Sequence, residues 1–488
     1  MPAGETGLDI VEIFLSQEAG VHLNRSFSLY LQARMARIFL LGIISGFPWV
    51  LIGSSLTLWL QEEGLSRTTI GWSGLIFTVY AVNFCWAPLI DRIRIPMLAR
   101  ILGHRRAWII PLQMIILLAL LTWSGMNPAD NLTVVIAIGL LIATASATMD
   151  IVIDALRIEQ FDRNESEAMT AGAAMATLGW WTGYQLGGAV ALKAADILQG
   201  LGVEEYWPMT FILLAAVIVL CNIGLLFVHE SQREPADHDE GSSIEKASAD
   251  RSGLGAFAHR VLSWLTSTFA SPMVDFFRRN GFTIALSLLG FIFLFKIGEA
   301  FLGRMSLVFY SEIGFTKSEI AFYSKTIGWV ITVLGTLIGS LLAIRIGLVR
   351  AMFLAGILMA LTNLLFAQMA WVGKSESLLA FAVVADGLTA AFATVTFVAF
   401  ISMLVDRNYT ATQYALLASI GNAGRTTFAG ASGAFVDWLN GDWGIFFMIT
   451  TLMVIPSLIC LWIIRHRLAE ILSGAKVRLF SKKVQIRK

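Results

Sequence analysis

WPMTFILLAAVIVLCNIGLLFV (207–228) runs 22 residues without a charge and stops against HESQREPADHDEGSSIEKASADRSG (229–253). The first stretch is long enough to cross a bilayer's hydrocarbon core as one helix, which takes about 20 apolar residues. The second is too polar to pack a core. A span that ends in a polar linker marks the close of one membrane bundle and predicts another beyond it.

Upstream, similar runs occupy 35–60, 69–90, 106–126, 131–155 and 168–192; downstream they occupy 281–303, 318–344, 350–370, 378–403, 412–436 and 444–464. The expectation is an all-α membrane protein of twelve transmembrane helices. Its organisation would be an interfacial segment (1–34), a six-helix bundle (35–228), a cytoplasmic linker (229–280), a second six-helix bundle (281–465) and a basic tail (466–488). The segment GLDIVEIFLSQEAGV (7–21) looks amphipathic and carries no readable role. With no short apolar region or small-residue cleavage site before Met35, the first span is expected to remain in the mature protein.

Composition agrees. Hydrophobic residues make up 57% and charged residues 14%, where a soluble domain carries about a quarter charged. The 35 Lys and Arg nearly balance 34 Asp and Glu, so no basic excess points to nucleic acid. Cys85, Cys221 and Cys460 lie in apolar runs without metal-ligand spacing and are read as packing residues. With the N-terminus inside, 27 of the 35 cationic residues fall in cytoplasmic segments; Arg67, Lys193, Arg304, Lys317 and Lys374 fall outside. Positive loops stay in the cytoplasm, so both termini are expected there.

Charges inside spans are costly and default to function. The fourth span carries Asp150 and Asp154, four residues apart and so on one face. Asp150 is deeper and is read as a protonatable acid. Asp154 is kept beside it as a second proton-coupling candidate, although pairing with Arg157 or the arginines around Arg105 accounts for it more simply. The second half carries Lys296 and Glu299 in its first span, Lys325 in the next, Asp386 in the tenth and Arg425 near the middle of the eleventh. An unpaired guanidinium there must face water or an acid. Arg425, Lys325 and Lys296 are read as holding substrate carboxylates, with pairing to Asp386 or Glu299 as the plain alternative. Glu299 and Asn83 join the substrate-binding set. Trp180, Trp181 and Tyr184 lie mid-span, too deep for an interfacial belt; they would stack on sugar rings if they face a cavity.

Gly179, Gly183 and Gly187, like Gly335 and Gly339, recur at a spacing of four and predict close helix packing. The loop Trp86-Ala-Pro-Leu-Ile-Asp91-Arg92 with Gly103-His-Arg105-Arg106 is matched in the second half by Arg345-Ile-Gly347-Leu-Val-Arg350. This loop is similar to the signature of major facilitators, whose acid latches the two halves at the start of the eleventh helix. Here that helix is expected to start at Thr410, with Thr410 and Gln413 at capping-box spacing. Asp91, Arg92, Arg105, Arg106 and Gln413 are therefore the expected latch; the plain alternative is that the arginines only set topology.

No phosphate-cradling loop, HExxH or paired Cys and His is present. No cofactor or metal is expected, only protons as the coupling ion. An intramembrane aspartyl enzyme would need a second acid facing Asp150, and only Asp386 is on offer.

WAPLIDR (86–92), GHRRAW (103–108), SATMDIVIDA (146–155), FKIGEAF (295–301), KTIGWVITVLG (325–335) and ATQYALLASIGNAGR (411–425) closely resemble, in order, AmpG-type muropeptide permeases. The resemblance implies a major facilitator fold of two pseudo-symmetric halves. It also implies proton-driven import of N-acetylglucosaminyl-1,6-anhydro-N-acetylmuramyl peptides across a Gram-negative inner membrane, peptidoglycan recycling and a link to β-lactamase induction. The partners it implies are that anionic cargo and the bilayer, with the protein a monomer. Where the family leads one to expect Tyr-Arg, this chain has Trp180-Trp181. The alternatives kept are a facilitator of another amphiphilic organic anion and, less suited to glycine ladders and a latch, a channel.

Overall fold

The computed structural model describes residues 28–65, 73–162, 165–228, 230, 270–315, 319, 323, 327–465 and 468. Most of the interfacial segment, of the linker and of the basic tail expected from the sequence lies outside these described residues, as does Lys325.

Among the described residues, eight helices are long and apolar enough to cross a bilayer. They are α1 (Ala33–Leu60), α3 (Arg106–Trp123), α4 (Pro128–Glu159), α6 (Tyr206–Leu226), α7 (Phe282–Tyr310), α9 (Leu348–Val372), α10 (Glu376–Leu404) and α12 (Trp443–Arg465). Two shorter apolar helices, α2 (Leu75–Cys85) and α8 (Val330–Ile346), stand in the second and eighth places. The fifth and eleventh places are held by α5 (Ser166–Gly200) and α11 (Thr410–Trp438). These two are long enough, but their Gly, Ala, Ser and Thr content makes them less apolar. Exposed side chains such as Leu118, Leu220, Ile338 and Phe381 form an outer surface suited to lipid.

The glycines explain why α5 is built that way. Methyl groups on Gly179 or Gly183 would collide with the carbonyl oxygens of Phe39 and Ile43 on α1, and methyl groups on Gly42 or Gly46 with those of Ala176 and Trp180 on α5. Backbone therefore lies against backbone. In the second half α11 meets α7 in the same way, a methyl on Gly424 colliding with the Phe293 carbonyl. Gly335 and Gly339 bring α8 onto Leu388 and Phe392 of α10. The α1–α5 and α7–α11 pairs occupy equivalent places in the two halves, as the expected fold class requires.

Both halves break their first helix. In α1 the hydrogen-bond pattern is interrupted at Phe47, before Pro48, and resumes through a π turn at Leu51–Ser55. Proline has no N–H to give and crowds the preceding turn. In α7 the break falls at Phe295 and Lys296, between Phe282–Leu294 and Ile297–Glu312. The basic turns after α2 and α8 also correspond, each using a glycine at positive φ, Gly103 (94°) and Gly347 (84°).

The halves meet through α5 against α8 and α10, and through α11 against α4 and Ala87–Arg92, the short helix that continues α2. Helix α11 starts at Thr410 as expected, but not with a capping box. Gln413 Oε1 accepts the Asp406 N–H at 2.8 Å, and its amide donates to the Pro272 carbonyl at 3.0 Å. The cap comes instead from the other half, through Asp91.

Candidate transport site

In the first half, the Ser45 hydroxyl on α1 donates to Asp150 on α4 at 2.7 Å. Ser45 and Trp49 are one turn apart on α1, as are Ser146 and Asp150 on α4, so the hydrogen bond sets two polar faces against each other. Trp49 lies 4.5 Å from Tyr80, 5.0 Å from Phe77 and 5.6 Å from Trp180, centroid to centroid. Trp180 is 5.2 Å from Trp181 and 5.5 Å from Tyr184. The helix 5 aromatics thus belong to one ring cluster with α1 and α2, beside the acid. Among the described residues Asp150 has no cation at ion-pair distance.

Asp154, a turn away, has one: Arg157, at 3.0 Å. Arg157 also donates to Ser402 of α10 at 3.1 Å and lies over the Tyr414 ring of α11. This pair is thereby a bridge between the halves.

In the second half, Lys296 sits at the break of α7. It pairs with Glu299 at 3.1 Å and donates to Thr394 of α10 at 2.7 Å. Asp386 on α10 accepts from Thr362 of α9 at 3.2 Å. Arg425 is exposed on α11, within electrostatic reach of Lys296. It does not take Asp386 or Glu299 as an ion-pair partner, because Lys296 already holds Glu299 and Asp386 faces Thr362. Asn83, grouped with the substrate residues, spends its amide N–H on the Ala147 carbonyl at 3.3 Å, tying α2 to α4. Asp150 and Asp386 belong to separate clusters, so no aspartyl dyad forms.

At the basic end, Asp91 accepts from Ala411 N at 3.2 Å, Thr412 N at 2.8 Å and the Thr412 hydroxyl at 2.7 Å. A carboxylate on exposed N–H groups at a helix start is favoured by hydrogen bonds and helix dipole together. Arg105, almost fully buried, holds Asp91 and Glu159 at 2.8 Å each. Burial works against its charge, but Glu159 and Asp91 outweigh that and push its pKa above the ordinary value. The Arg105 and Arg106 N–H groups, at the start of α3, donate to Glu230 at 2.7 and 3.1 Å. Burial pushes the Glu230 carboxyl upward against those bonds. His104 is pushed down to about 4 by burial and by the Arg105 charge. It stays neutral near pH 7, with Nε2 3.0 Å from the Ile90 carbonyl. Arg92 closes the short helix Ala87–Arg92.

Ser45, Trp49, Tyr80, Thr394, Glu159 and Glu230 are the members that sequence reasoning missed. Glu159 and Glu230 carried a usable signal, as acids at the ends of spans that face the basic loop.

The description Major Facilitator Superfamily matches residues 38–323. An AmpG transporter of Rickettsia conorii is 32% identical over 88% of this chain and 95% of its own length. The anhydromuropeptide permease of Escherichia coli is 30% identical over 90% of this chain and 81% of its own. Among solved structures, the E. coli fucose:proton symporter FucP aligns with a TM-score of 0.59 at 14% identity, covering 88% of this chain and 97% of FucP. FucP in its outward conformation gives 0.60. The fold, the paired halves and these relatives converge: the chain belongs to the major facilitator superfamily, in its AmpG branch, and is a multi-pass membrane transporter rather than an enzyme.

Proposed function

We propose that this transporter imports N-acetylglucosaminyl-1,6-anhydro-N-acetylmuramyl peptides from periplasm to cytoplasm, driven by protons. It would sit in the inner membrane with both termini cytoplasmic, where the basic loops and tail belong. The similarity to a permease named for anhydromuropeptides supports the cargo class. The observation that carries the mechanism is the division of labour between the halves: an acid without a counter-ion, Asp150, in one, and an exposed guanidinium, Arg425, in the other.

A buried carboxylate with no cation beside it can carry a proton in one state of a cycle and release it in the other. Asp154 is less suited, since Arg157 answers its charge. The cargo brings peptide carboxylates, and Arg425 offers them a planar fork of donors. Lys296 would adjust the field around it. Lys325 remains part of the proposed cation set.

The test is uptake of labelled anhydromuropeptide by cells lacking their own permease and expressing this chain, with and without a protonophore. Accumulation that the protonophore abolishes is expected. Asp150→Asn should reduce accumulation to the protonophore-treated level while exchange of labelled for unlabelled cargo continues. Full accumulation by that variant would remove Asp150 from the proton path; no uptake by the unaltered protein, once shown to be in the membrane, would redirect the cargo to another amphiphilic anion.

A further inference from the structure

The polar atoms around Asp150 are not all used. The indole N–H of Trp49, the hydroxyl of Tyr80 and the hydroxyl of Ser146 are shut away from solvent and make no hydrogen bond of good geometry among the described residues; their looser approaches are Trp49 to Asp150 and Tyr80 to Ser146. Each is close to the acid. Trp49 follows Ser45 by one turn on the face that meets α4, Ser146 precedes Asp150 by one turn, and Tyr80 packs on Trp49 at 4.5 Å. Tyr80 lies within electrostatic reach of Asp150, and the Trp49 indole is also near it. The other titratable group facing the acid is Asp154, on its own helix; α1 and α5 present Ser45, Trp49 and Trp180, none charged.

A buried donor without an acceptor costs roughly what a lost hydrogen bond is worth, and native structures rarely tolerate several in one place. Here they stand around the group whose hydrogen-bonding needs change most when it ionises. A protonated carboxyl uses its own O–H as a donor and accepts through its carbonyl oxygen from a donor such as Ser45, so it has little use for further donors. A carboxylate has room for about four.

We infer that Trp49 and Tyr80 are positioning residues for Asp150: the donors that turn onto its carboxylate when the proton leaves. Their rings are part of the cluster that reaches Trp180 on α5, so a change at the acid is felt by the aromatic surface of the site. The inference rests on the reading of Asp150 as the proton carrier, and goes beyond it by naming what receives the charge.

The test needs no cargo. The C=O stretch of protonated Asp150 is followed by infrared spectroscopy of the full chain in lipid as pH is raised, the band being assigned by its loss in Asp150→Asn. Trp49→Phe and Tyr80→Phe each keep a ring and remove one donor, and they are read separately so that a folding failure in one leaves the other to decide. Losing a donor to the charged form should move the band's midpoint upward by about one pH unit in each variant. Midpoints unmoved in both would overturn the inference and leave the proton reading of Asp150 standing. A band that survives in Asp150→Asn would overturn both.

Discussion

Arg425 and Lys296 are both cations inside spans, yet they are held differently. Lys296 pairs with Glu299 and Thr394, whereas Arg425 is exposed, and no ion-pair partner is found for it among the described residues. A positive charge left open within a span is an offer to an anion. If that anion is a carboxylate gripped by both arms of the guanidinium, Arg425→Lys keeps the charge but loses one charge-assisted hydrogen bond. Such a bond is worth about 1.5–3 kcal/mol, so uptake KM should rise by roughly tenfold or more. Kinetics of labelled cargo uptake check this, and an unchanged KM would give Arg425 a structural role. The intramembrane charges were legible in the sequence because each is expensive wherever it points. Trp49 and Tyr80 were not. An aromatic residue in an apolar run is ordinary, and which face of α1 meets α4 is decided by packing that one-dimensional periodicity does not encode.

Helix α5 shows how a pattern readable at the level of one element acquires its partner only in three dimensions. The spacing of Gly179, Gly183 and Gly187 announced a close approach, and the structure supplies α1 as the surface approached. The glycines are not equivalent. An added methyl at Gly179 meets a backbone oxygen that cannot move without α1, whereas at Gly187 it meets the side chains of Phe47 and Val50, which can turn. Gly179→Ala should therefore cost about 3 kcal/mol or more and Gly187→Ala about 1 kcal/mol, since overpacking is cheap only where neighbours can yield. Thermal unfolding of the detergent-solubilised variants measures the difference; equal losses would mean that α1 and α5 separate readily. The start of α11 is the opposite case. The Thr410–Gln413 spacing is a local signal, but a cap supplied by Asp91, more than three hundred residues earlier, leaves no trace in the local sequence.

At the scale of the whole molecule, the two halves are joined at the basic end by Asp91 on α11, with Arg105 holding that carboxylate and Glu159, and by Arg157 reaching Ser402. If the proposed import runs by alternating access, these contacts are made and broken in each cycle, and their strength is balanced against contacts formed when the other end closes. Asp91→Asn keeps the size of the side chain but removes the charge that both the α11 N–H groups and Arg105 use. Breaking a buried ion pair costs about 3 kcal/mol, which moves a two-state equilibrium on the order of 100-fold. The shift should favour the state open at the basic end. Spin labels at Met97 and Asn408, both exposed at that end and on opposite halves, report it as a population at longer distance absent from the unaltered protein. Exchange of cargo should slow as well, because a transporter biased to one face waits longer at the other. An unchanged distance distribution in Asp91→Asn would mean that Arg157 and the α5–α8 contact hold the end shut on their own, and that Asp91 only starts a helix.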